Sequence, residues 1–432
     1  MTTFIEPIFQ LDDVLEYVYN RNKEDYIKQP PTNPQNLNNS GEIRYELNNQ
    51  QYYISVAESF MLGEFKITKA DGTDLGNGDI TLENCWFWRL LNSVRHEVGG
   101  REVENIAQAV GEAVTMMNFV STSDQHKRNN GLISGWCPDT NKCDNDVDNI
   151  DANVGYFQRK KFYNAKKTFT MMFPLKGVLG FTDYTKILSN IKIALILNRK
   201  ADSVINPDIF YGATVAPPNA LTAKITINKL EWWIPYIEPS LQVEELITKR
   251  LNTNAPINVN FMKNSMNEQT IPTGSSYSWK IGNYANSVRF LFIAFKRITA
   301  SSYETNNALF TENDGNNNQI TSIRVKVNNM YYPNDGMKFN FSIYNIVEAY
   351  LTYVNACRTF GFEPQMSLHE FVLNPIFCFD LSAQPEALKS NGIDITIQIE
   401  KTSALTLQGY CLVKEESYHQ IDVADGKMLR IR

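Results

Sequence analysis

Residues 169–199 read FTMMFPLKGVLGFTDYTKILSNIKIALILNR, and this stretch decides the fold. It opens with an apolar segment at 169–173 and closes with a second one at 191–197. The second segment is apolar on both faces, which predicts a strand inside a sheet that is covered from both sides. Between them, Pro174 cannot donate a ladder hydrogen bond, and two glycines permit backbone angles that other residues resist. The stretch therefore predicts a strand, a tight excursion and a return strand.

Length and composition predict a β-rich protein of two domains that is made and kept inside a cell. The 432 residues exceed the size at which a single hydrophobic core usually stops growing. The 21 Tyr and 24 Phe favour strands, and a charged fraction of only 20% excludes a disordered chain. No apolar run approaches the roughly 20 residues that cross a bilayer, and the first residues do not resemble a signal peptide. We therefore expect no membrane span.

The beginning of the chain reads as an arm followed by a linker. Residues 8–19 carry apolar side chains at helical spacing, with acidic residues on the opposite face. The sequence QPPTNPQNLNNSG (29–41) is too rich in Pro and Asn for regular structure. The first domain is therefore predicted to begin near residue 42.

Strands and turns follow in the first domain. Alternating side chains around a Gly-Gly pair predict a hairpin over 93–103. The pattern then predicts a helix over 104–118 and a long polar loop over 121–155. The sequence WWIPYIEPS (232–240), with its two prolines, marks the end of a packed strand and the domain boundary.

The second half has a similar succession of predicted strands, polar loops and one helix, although no sequence repeat is detectable. Isoleucines alternate with polar residues over 393–399, which predicts a half-buried strand. Apolar residues at helical spacing predict an amphipathic helix over 343–354, closed by Gly361, and an Asn-rich segment at 304–319 predicts an exposed loop. Further strands are predicted at 257–262, 288–295, 323–327 and 405–413.

These elements predict an all-β fold of two tandem eight-stranded jelly rolls with short inserted helices. Each half holds about eight strand candidates, one helix late in the set and long polar connections, which is typical of a jelly roll. The predicted organisation is an N-terminal arm and linker at 1–41, a first jelly roll at 42–238 and a second at 239–432.

Charge argues against general nucleic-acid binding. The formal net charge is −6, whereas such proteins usually carry a basic face. A local exception comprises Arg159, Lys160, Lys161, Lys166 and Lys167. We interpret this cluster as a solvated strand edge, with weak contact to a polyanion such as a genome as the alternative.

No metal or cofactor site is assigned. Cys137 and Cys143 lie in one loop without a second pair or a nearby histidine, so zinc is disfavoured and a local disulfide is the alternative. The other cysteines have apolar surroundings typical of buried thiols. An acidic run imitates the start of a calcium loop but lacks the turn glycine and the final glutamate, and an exposed loop is the better interpretation; its carboxylates are Asp144, Asp146 and Asp148.

No catalytic residue is assigned either, and the chain is predicted not to be an enzyme. Neither a nucleophile elbow nor a phosphate-binding loop is present. His369 and Glu370 lack the second histidine that a zinc protease helix needs, and nothing links the remaining histidines, which are His96, His126 and His419.

A glycosidase or carbohydrate-binding sandwich remains an alternative from a different class. Loop carboxylates are numerous, but nothing nominates one pair. Four tryptophans could line a sugar groove, although a position in the core is favoured; they are Trp86, Trp88, Trp232 and Trp233.

Three blocks of sequence resemble a known family. They are SVRHEVGGREVENIAQAVGEAVTMMNFVS (93–121), FPLKGVLGFTDYTKILSNIKIALILNRKAD (173–202), and EFVLNPIFCFDLSAQPEALKSNGIDITIQIE (370–400) followed by GYCLV (409–413). In this order they resemble the double jelly-roll major capsid (hexon-like) proteins of Polinton/Maverick elements, adintoviruses and related arthropod DNA viruses. The long segment at 121–155 and the Gly-Gly turn depart from the family pattern.

The resemblance implies a major capsid protein that assembles as homotrimeric, pseudo-hexameric capsomers into an icosahedral shell. It also implies penton and minor capsid proteins as partners, and a place in the virion after assembly in the host nucleus or cytoplasm. We expect the loops at 121–155 and 304–319 to face outward, and the arm and the basic cluster to face inward or toward a neighbour. The alternatives are a minor vertex (penton-type) protein and a domesticated genomic copy of a capsid gene.

Overall fold

The computed structural model shows two β-sandwiches packed against each other. The described residues are 21–48, 52–69, 80–140, 153–164, 168–201, 210–212, 223–284, 287–297, 310, 320–385, 392–402, 406–422 and 428–430. The predicted arm at 8–19 lies outside them.

Strands of the first sandwich come from the first half of the chain. They are β1 (Arg21–Gln29), β2 (Gly41–Leu47), β3 (Tyr53–Ile54), β4 (Phe60–Lys69), β5 (Ile80–Leu82), β6 (Leu91–Val98), β7 (Arg101–Ile106), β8 (Phe169–Pro174), β9 (Ile193–Arg199), β10 (Phe210–Gly212) and β11 (Ala223–Pro239).

Strands of the second sandwich follow in the second half. They are β12 (Ile257–Ile271), β13 (Ser276–Tyr284), β14 (Val288–Arg297), β15 (Ile320–Val327), β16 (Met330–Lys338), β17 (Phe377–Asp380), β18 (Ile393–Lys401), β19 (Leu407–Ile421) and β20 (Met428–Arg430).

Helices are short and lie mainly in the connections. They are α1 (Trp86–Arg89), α2 (Val110–Ser121), α3 (Asp124–Asn129), α4 (Gly131–Ser134), α5 (Val154–Asn164), α6 (Leu241–Leu251), α7 (Val347–Thr359) and α8 (Leu368–Leu373), with 3₁₀ turns at Pro34–Asn36, Gly180–Asp183 and Phe341–Ile343. None of the helices in the described ranges is both long and apolar enough to span a membrane.

Both sandwiches have the same strand order, which confirms the predicted double jelly roll. The first pairs its sheets as β1-β11-β4-β8 and β2-β9-β6-β7, and the second as β12-β19-β14-β17 and β13-β18-β15-β16. Counting the eight main strands of each half from one, both halves read 1-8-3-6 and 2-7-4-5. In each half a long helix, α2 or α7, follows the fifth strand. The repeat is therefore one of topology, although the sequence shows none.

The stretch at 169–199 forms the predicted pair of strands. β9 lies between β2 and β6, and all but one of its residues are buried. Its apolar character on both faces follows from this central position, because its side chains are buried on both faces of the sheet. The hairpin at the Gly-Gly pair is also confirmed: β6 and β7 are joined through Gly99 and Gly100, which both have positive φ.

The first strand lies within the residues assigned by sequence to the arm and linker. β1 pairs with β11 along its whole length, from Gln29 opposite Trp232 to Arg21 opposite Pro239. It carries almost no apolar alternation, because it is an outer strand whose side chains are largely exposed. Its polar sequence, RNKEDYIKQ, therefore gave no strand signal.

Two predicted elements between β7 and β8 are corrected. The helix expected over 104–118 begins later, at Val110, because β7 continues to Ile106 before the chain turns. The segment at 121–155 is not a continuous loop, since α3 and α4 lie within it and α5 begins at its end.

The basic cluster was expected on a strand edge, but its first three members lie on α5, and Lys166 and Lys167 lie outside the described residues.

The helix expected over 343–354 is α7, shifted toward the C-terminus and turned relative to the prediction. Ala349, Tyr353 and Cys357 form its buried side. Val347 and Leu351, which the apolar pattern assigned to the core, are exposed instead.

Candidate functional site

The two sandwiches meet along a buried polar seam, by which we mean the contacts between residues 80–201 and residues 257–422. At its centre lies Glu104, next to the end of β7 and buried. Its carboxylate accepts backbone hydrogen bonds from Gly180 (2.8 Å) and Phe181 (2.9 Å) in the first sandwich, and from Asn264 (2.6 Å) in the second. One side chain thus ties a strand, a 3₁₀ turn and the neighbouring sandwich together.

Asn264 on β12 extends this network in both directions. Its side-chain amide donates to the Val178 carbonyl at 2.8 Å, and its amide oxygen accepts from Lys414 Nζ at 2.7 Å. Burial raises the pKa of the Glu104 carboxyl to about 7 and lowers the pKa of Lys414. The network contains one acid and one base removed from water, so each depends on these polar contacts.

The backbones of the two sandwiches also approach each other closely beside this network, at Gly180. A Cβ built on Gly180 would lie 1.6 Å from the carbonyl oxygen of Met262 on β12. Only glycine fits this position, because the obstructing atom belongs to the backbone and cannot rotate away. The Pro/Gly-rich segment that interrupts the fold-defining stretch is therefore the surface against which the second sandwich packs.

A second charged cluster lies beside helix α2. Glu112 forms ion pairs with Arg89, from its own sandwich, and with Lys296 on β14 at 3.0 Å. Burial alone would raise the pKa of Glu112, but the two cations hold it well below its ordinary value. This carboxylate is ionised in the interior and bridges the two halves of the chain.

The C-terminal end of α2 is completed by the second sandwich. Tyr353 on α7 donates to the Phe119 carbonyl at 3.0 Å. The Gln365 side-chain amide donates to the carbonyls of Asn118 (2.8 Å) and Thr122 (2.6 Å). The last carbonyls of a helix have no partners within it, so α2 is capped only when both halves are in place. The seam therefore joins the end of α2 to the second sandwich by hydrogen bonds.

A family model described as "Double jelly roll-like domain" matches residues 80–417, which is more than half of the chain. The chain belongs to the double jelly roll-like domain family. The matched range includes all the seam residues named above.

Solved structures share this double jelly roll at low sequence identity. A chain from the Sputnik virophage cryo-EM structure matches with a TM-score of 0.64 and 12% identity, covering 100% of this chain and 92% of that one. The mavirus major capsid protein matches with a TM-score of 0.57 and 9% identity, covering 94% and 89%. The Faustovirus major capsid protein matches with a TM-score of 0.56 and 9% identity, covering 92% and 90%. No curated protein sequence is significantly similar to the chain.

The histidines of this double jelly roll protein lie on separate elements. His96 is buried between the rings of Phe181 and Trp232, and burial lowers its pKa to about 3. His419 is buried and stacks on Phe261. His126 lies on α3, and His369 on α8 is 3.3 Å from the Tyr344 hydroxyl. The structure does not bring them together.

The tryptophans that could have lined a sugar groove are mostly core residues. Trp86, Trp88 and Trp232 are buried. Trp233 is only partly buried and stacks with Phe60 on the outer side of the first sandwich. A groove of about 490 Å³ lies where α5 meets α8, but both of its acids are engaged: Asp139 with Arg159, and Glu370 in the cap of α8.

The basic cluster is corrected in its chemistry as well as its position. Arg159 is fully buried, donating to the Leu82 carbonyl at 2.9 Å and pairing with Asp139 at 2.9 Å. It anchors α5 to the first sandwich and is not available to a polyanion. Cys143 and the acidic run lie outside the described residues. Within those residues, no group of three or more potential metal-binding side chains occurs.

The seam itself was missed by the sequence analysis. Glu104 and Glu112 were placed within a predicted helix without a role, and Lys296 was not singled out. The only available signal was the positioning of charged residues inside otherwise apolar segments, as in AFKR around Lys296.

Proposed function

We propose that the chain is a major capsid protein, which assembles as trimeric, pseudo-hexameric capsomers into an icosahedral shell. The observation that carries this proposal is the pair of sandwiches with one strand order, held in a fixed relation by a buried seam. Such a chain is a rigid building block with two similar lobes, and three copies supply six lobes around one axis. The virophage and Faustovirus structures of the same fold support this role.

The proposed partners follow from it: other copies of the chain first, then penton and minor capsid proteins, with weak genome contact as a further interaction. The proposed location is the virion, after assembly in the host cell. Among viruses, the Polinton-like and related lineages are the proposed relatives, and the role is structural rather than enzymatic. We propose that the arm before β1 faces inward or toward a neighbouring capsomer. The proposed division between the jelly rolls stays near residue 239, and β1 is taken with the first.

Purification of the full chain tests the proposal. We expect trimers by light scattering, and six-lobed particles about one axis in electron micrographs. A protein that remains monomeric at all concentrations would contradict the proposal, and pentamers would indicate the vertex role instead. A penton-type protein ordinarily needs one sandwich, so the two-sandwich chain favours the major capsid role.

A further inference from the structure

Helix α6 lies between β11 and β12 in the chain and is left largely uncovered by both sandwiches. It has 11 residues, and none of them is buried. Apolar side chains nevertheless recur along it at helical spacing; they are Val243, Leu246, Ile247 and Leu251. Leu246 is 65% exposed, and the other three are only partly shielded. A helix of this length is marginal in water unless its apolar face packs against something. It therefore requires a cover that the described residues do not supply.

The chain reaches β1 beside this helix. Arg21, the first residue of β1, lies opposite Pro239, the last residue of β11. Ser240 follows Pro239 directly and is the N-cap residue of α6. Residues 1–20 lie outside the described residues, so the described part of the chain starts next to the N-terminal end of α6. The segment that precedes Arg21 is consequently tethered beside the helix.

The sequence of that segment is complementary to α6. Within the arm (residues 8–19), the acidic residues lie opposite an apolar helical face formed by Ile8, Leu11, Val14, Leu15 and Val18. As a helix these residues would extend over about 18 Å, compared with about 16 Å for α6. Residues 1–20 contain four carboxylates and no Lys or Arg, whereas the last turn of α6 carries Lys249 and Arg250. The two segments therefore match in length, apolar pattern and charge.

We propose that the arm forms a helix that packs antiparallel on α6 of the same chain, so that the β1–β11 strand pair continues as a pair of helices. The strand register sets the register of the helices, because both rise by the same ~1.5 Å per residue. Counting equal numbers of residues away from Arg21 and Pro239 brings Leu15 within one residue of Leu246. The same count brings Ile8 within one residue of Leu251. The contact lies within one chain and does not depend on the proposed function.

The tether favours the arm over a separate partner as the cover of α6. A segment held at Arg21 is present at α6 at an effective concentration on the order of millimolar. The arm of another copy, or an unrelated protein, must be recruited from solution and loses translational freedom when it binds. The intramolecular contact is therefore the one that forms first.

Hydrogen exchange at α6 in the full chain tests the cover. Amides of residues 245–251 should exchange more slowly in wild type than in Leu15→Asp, by roughly tenfold or more, because a charge in the middle of the contact removes the cover. The matched control is Asp13→Asn, on the opposite face of the predicted helix, which should keep the wild-type rates. An unprotected α6 in wild type, or equal protection in wild type and Leu15→Asp, would overturn the proposal.

Cross-linking tests which segment is the cover. The double variant Leu15→Cys/Leu246→Cys, treated with a short bis-maleimide at low protein concentration, should give a monomer in which these two positions are linked. Peptide mapping by mass spectrometry separates this link from links to the native cysteines. The control Asp13→Cys/Leu246→Cys should give much less of the corresponding product.

A mixture of the two single variants, Leu15→Cys and Leu246→Cys, tests for exchange between copies. It should give no linked dimer above the level of wild type. A linked dimer in place of the linked monomer would show that the arm covers α6 of a neighbouring copy and would overturn the intramolecular contact. Absence of both products would overturn the arm as the cover and leave α6 to a separate partner.

Discussion

The Glu104 carboxylate in the first sandwich and the backbone N–H of Asn264 in the second are joined by a hydrogen bond of 2.6 Å, although 160 positions separate them in the chain. The same oxygen also accepts from Gly180, and the second oxygen accepts from Phe181. The three hydrogen bonds to this carboxylate from the described residues all come from backbone N–H donors. This position therefore requires a side chain with two acceptor oxygens. The effect of substitutions at and near Glu104 on stability can be predicted from this requirement.

Replacing Glu104 by Gln should destabilise the protein by about 2–4 kcal/mol. The amide has one acceptor oxygen instead of two, so its NH₂ group must face a backbone N–H donor. Chemical denaturation followed by tryptophan fluorescence measures the change. The matched control is Glu102→Gln on the same strand, where the side chain is exposed and the effect should stay within about 0.5 kcal/mol.

Glu104 should also make the protein more stable in mild acid. Burial raises the pKa of this carboxyl from its ordinary value of 4.5 to about 7. An acid whose pKa is raised on folding contributes stability that is full below the unfolded pKa and is lost as pH rises through the folded one. Between pH 5 and pH 8 the loss should be about 2–3 kcal/mol.

The difference between wild type and Glu104→Gln isolates this contribution. Free energies of unfolding measured at several pH values should converge as pH rises, because the neutral amide cannot titrate. Parallel curves for the two proteins would show that the carboxylate stays ionised in the folded state throughout.

His96 should make the protein less stable in mild acid, which is the opposite of the effect of Glu104. Burial lowers its pKa from 6.5 to about 3, so the folded state holds it neutral while the unfolded state binds a proton. Stability from this residue is present above pH 6.5 and should fall by about 2 kcal/mol on going to pH 5.

His96→Phe should remove that loss, because phenylalanine packs between the same two rings and does not titrate. The control is His369→Phe, at an exposed position on α8. An unchanged pH profile in His96→Phe would contradict the assignment.

Gly180→Ala should disrupt the seam. The new Cβ would meet the Met262 carbonyl at 1.6 Å, so the two sandwiches must separate or the strand must move, at a cost of about 3 kcal/mol or more. Hydrogen exchange at β12 should become faster.

Gly177→Ala is the matched control in the same segment. Its φ is +81°, and a Cβ there would find only the Ser121 hydroxyl at 3.5 Å, so strain arises without a clash. We expect a loss of about 1–2 kcal/mol with β12 still protected. Equal exchange at β12 in both variants would show that close approach is not the reason for glycine at 180.

The fold class and the internal strands could be predicted from sequence, because their signals are local. Isoleucines at every second position gave β18, and an uninterrupted apolar run gave β9. β1 could not be recognised, since an exposed outer strand needs no apolar residues and its pairing with β11 is formed across about 200 positions. The buried face of α7 was predicted incorrectly, because apolar residues occur on its exposed side as well as on its buried side.

The seam could not be predicted for a different reason. Glu104, Glu112 and Lys296 are unremarkable charged residues until the chain brings them together. The periodicity of apolar residues predicts which face of a strand or helix packs against its own sandwich. These charged residues instead contact the other sandwich, and periodicity carries no information about that contact. Arg159 is a further case. The sequence shows it only as part of a basic run, whereas in the structure it is buried and paired with Asp139.

The capping of α2 by Tyr353 and Gln365 bears on how the chain matures during synthesis. A ribosome delivers the first sandwich well before the residues that complete this helix, and before Lys296, the second cation beside Glu112. Until then, the end of α2 lacks the hydrogen-bond donors that the second sandwich supplies, and the Glu104 carboxylate lacks its hydrogen bond from Asn264. Docking of the later half withdraws these groups from water and, near neutral pH, takes up part of a proton at Glu104.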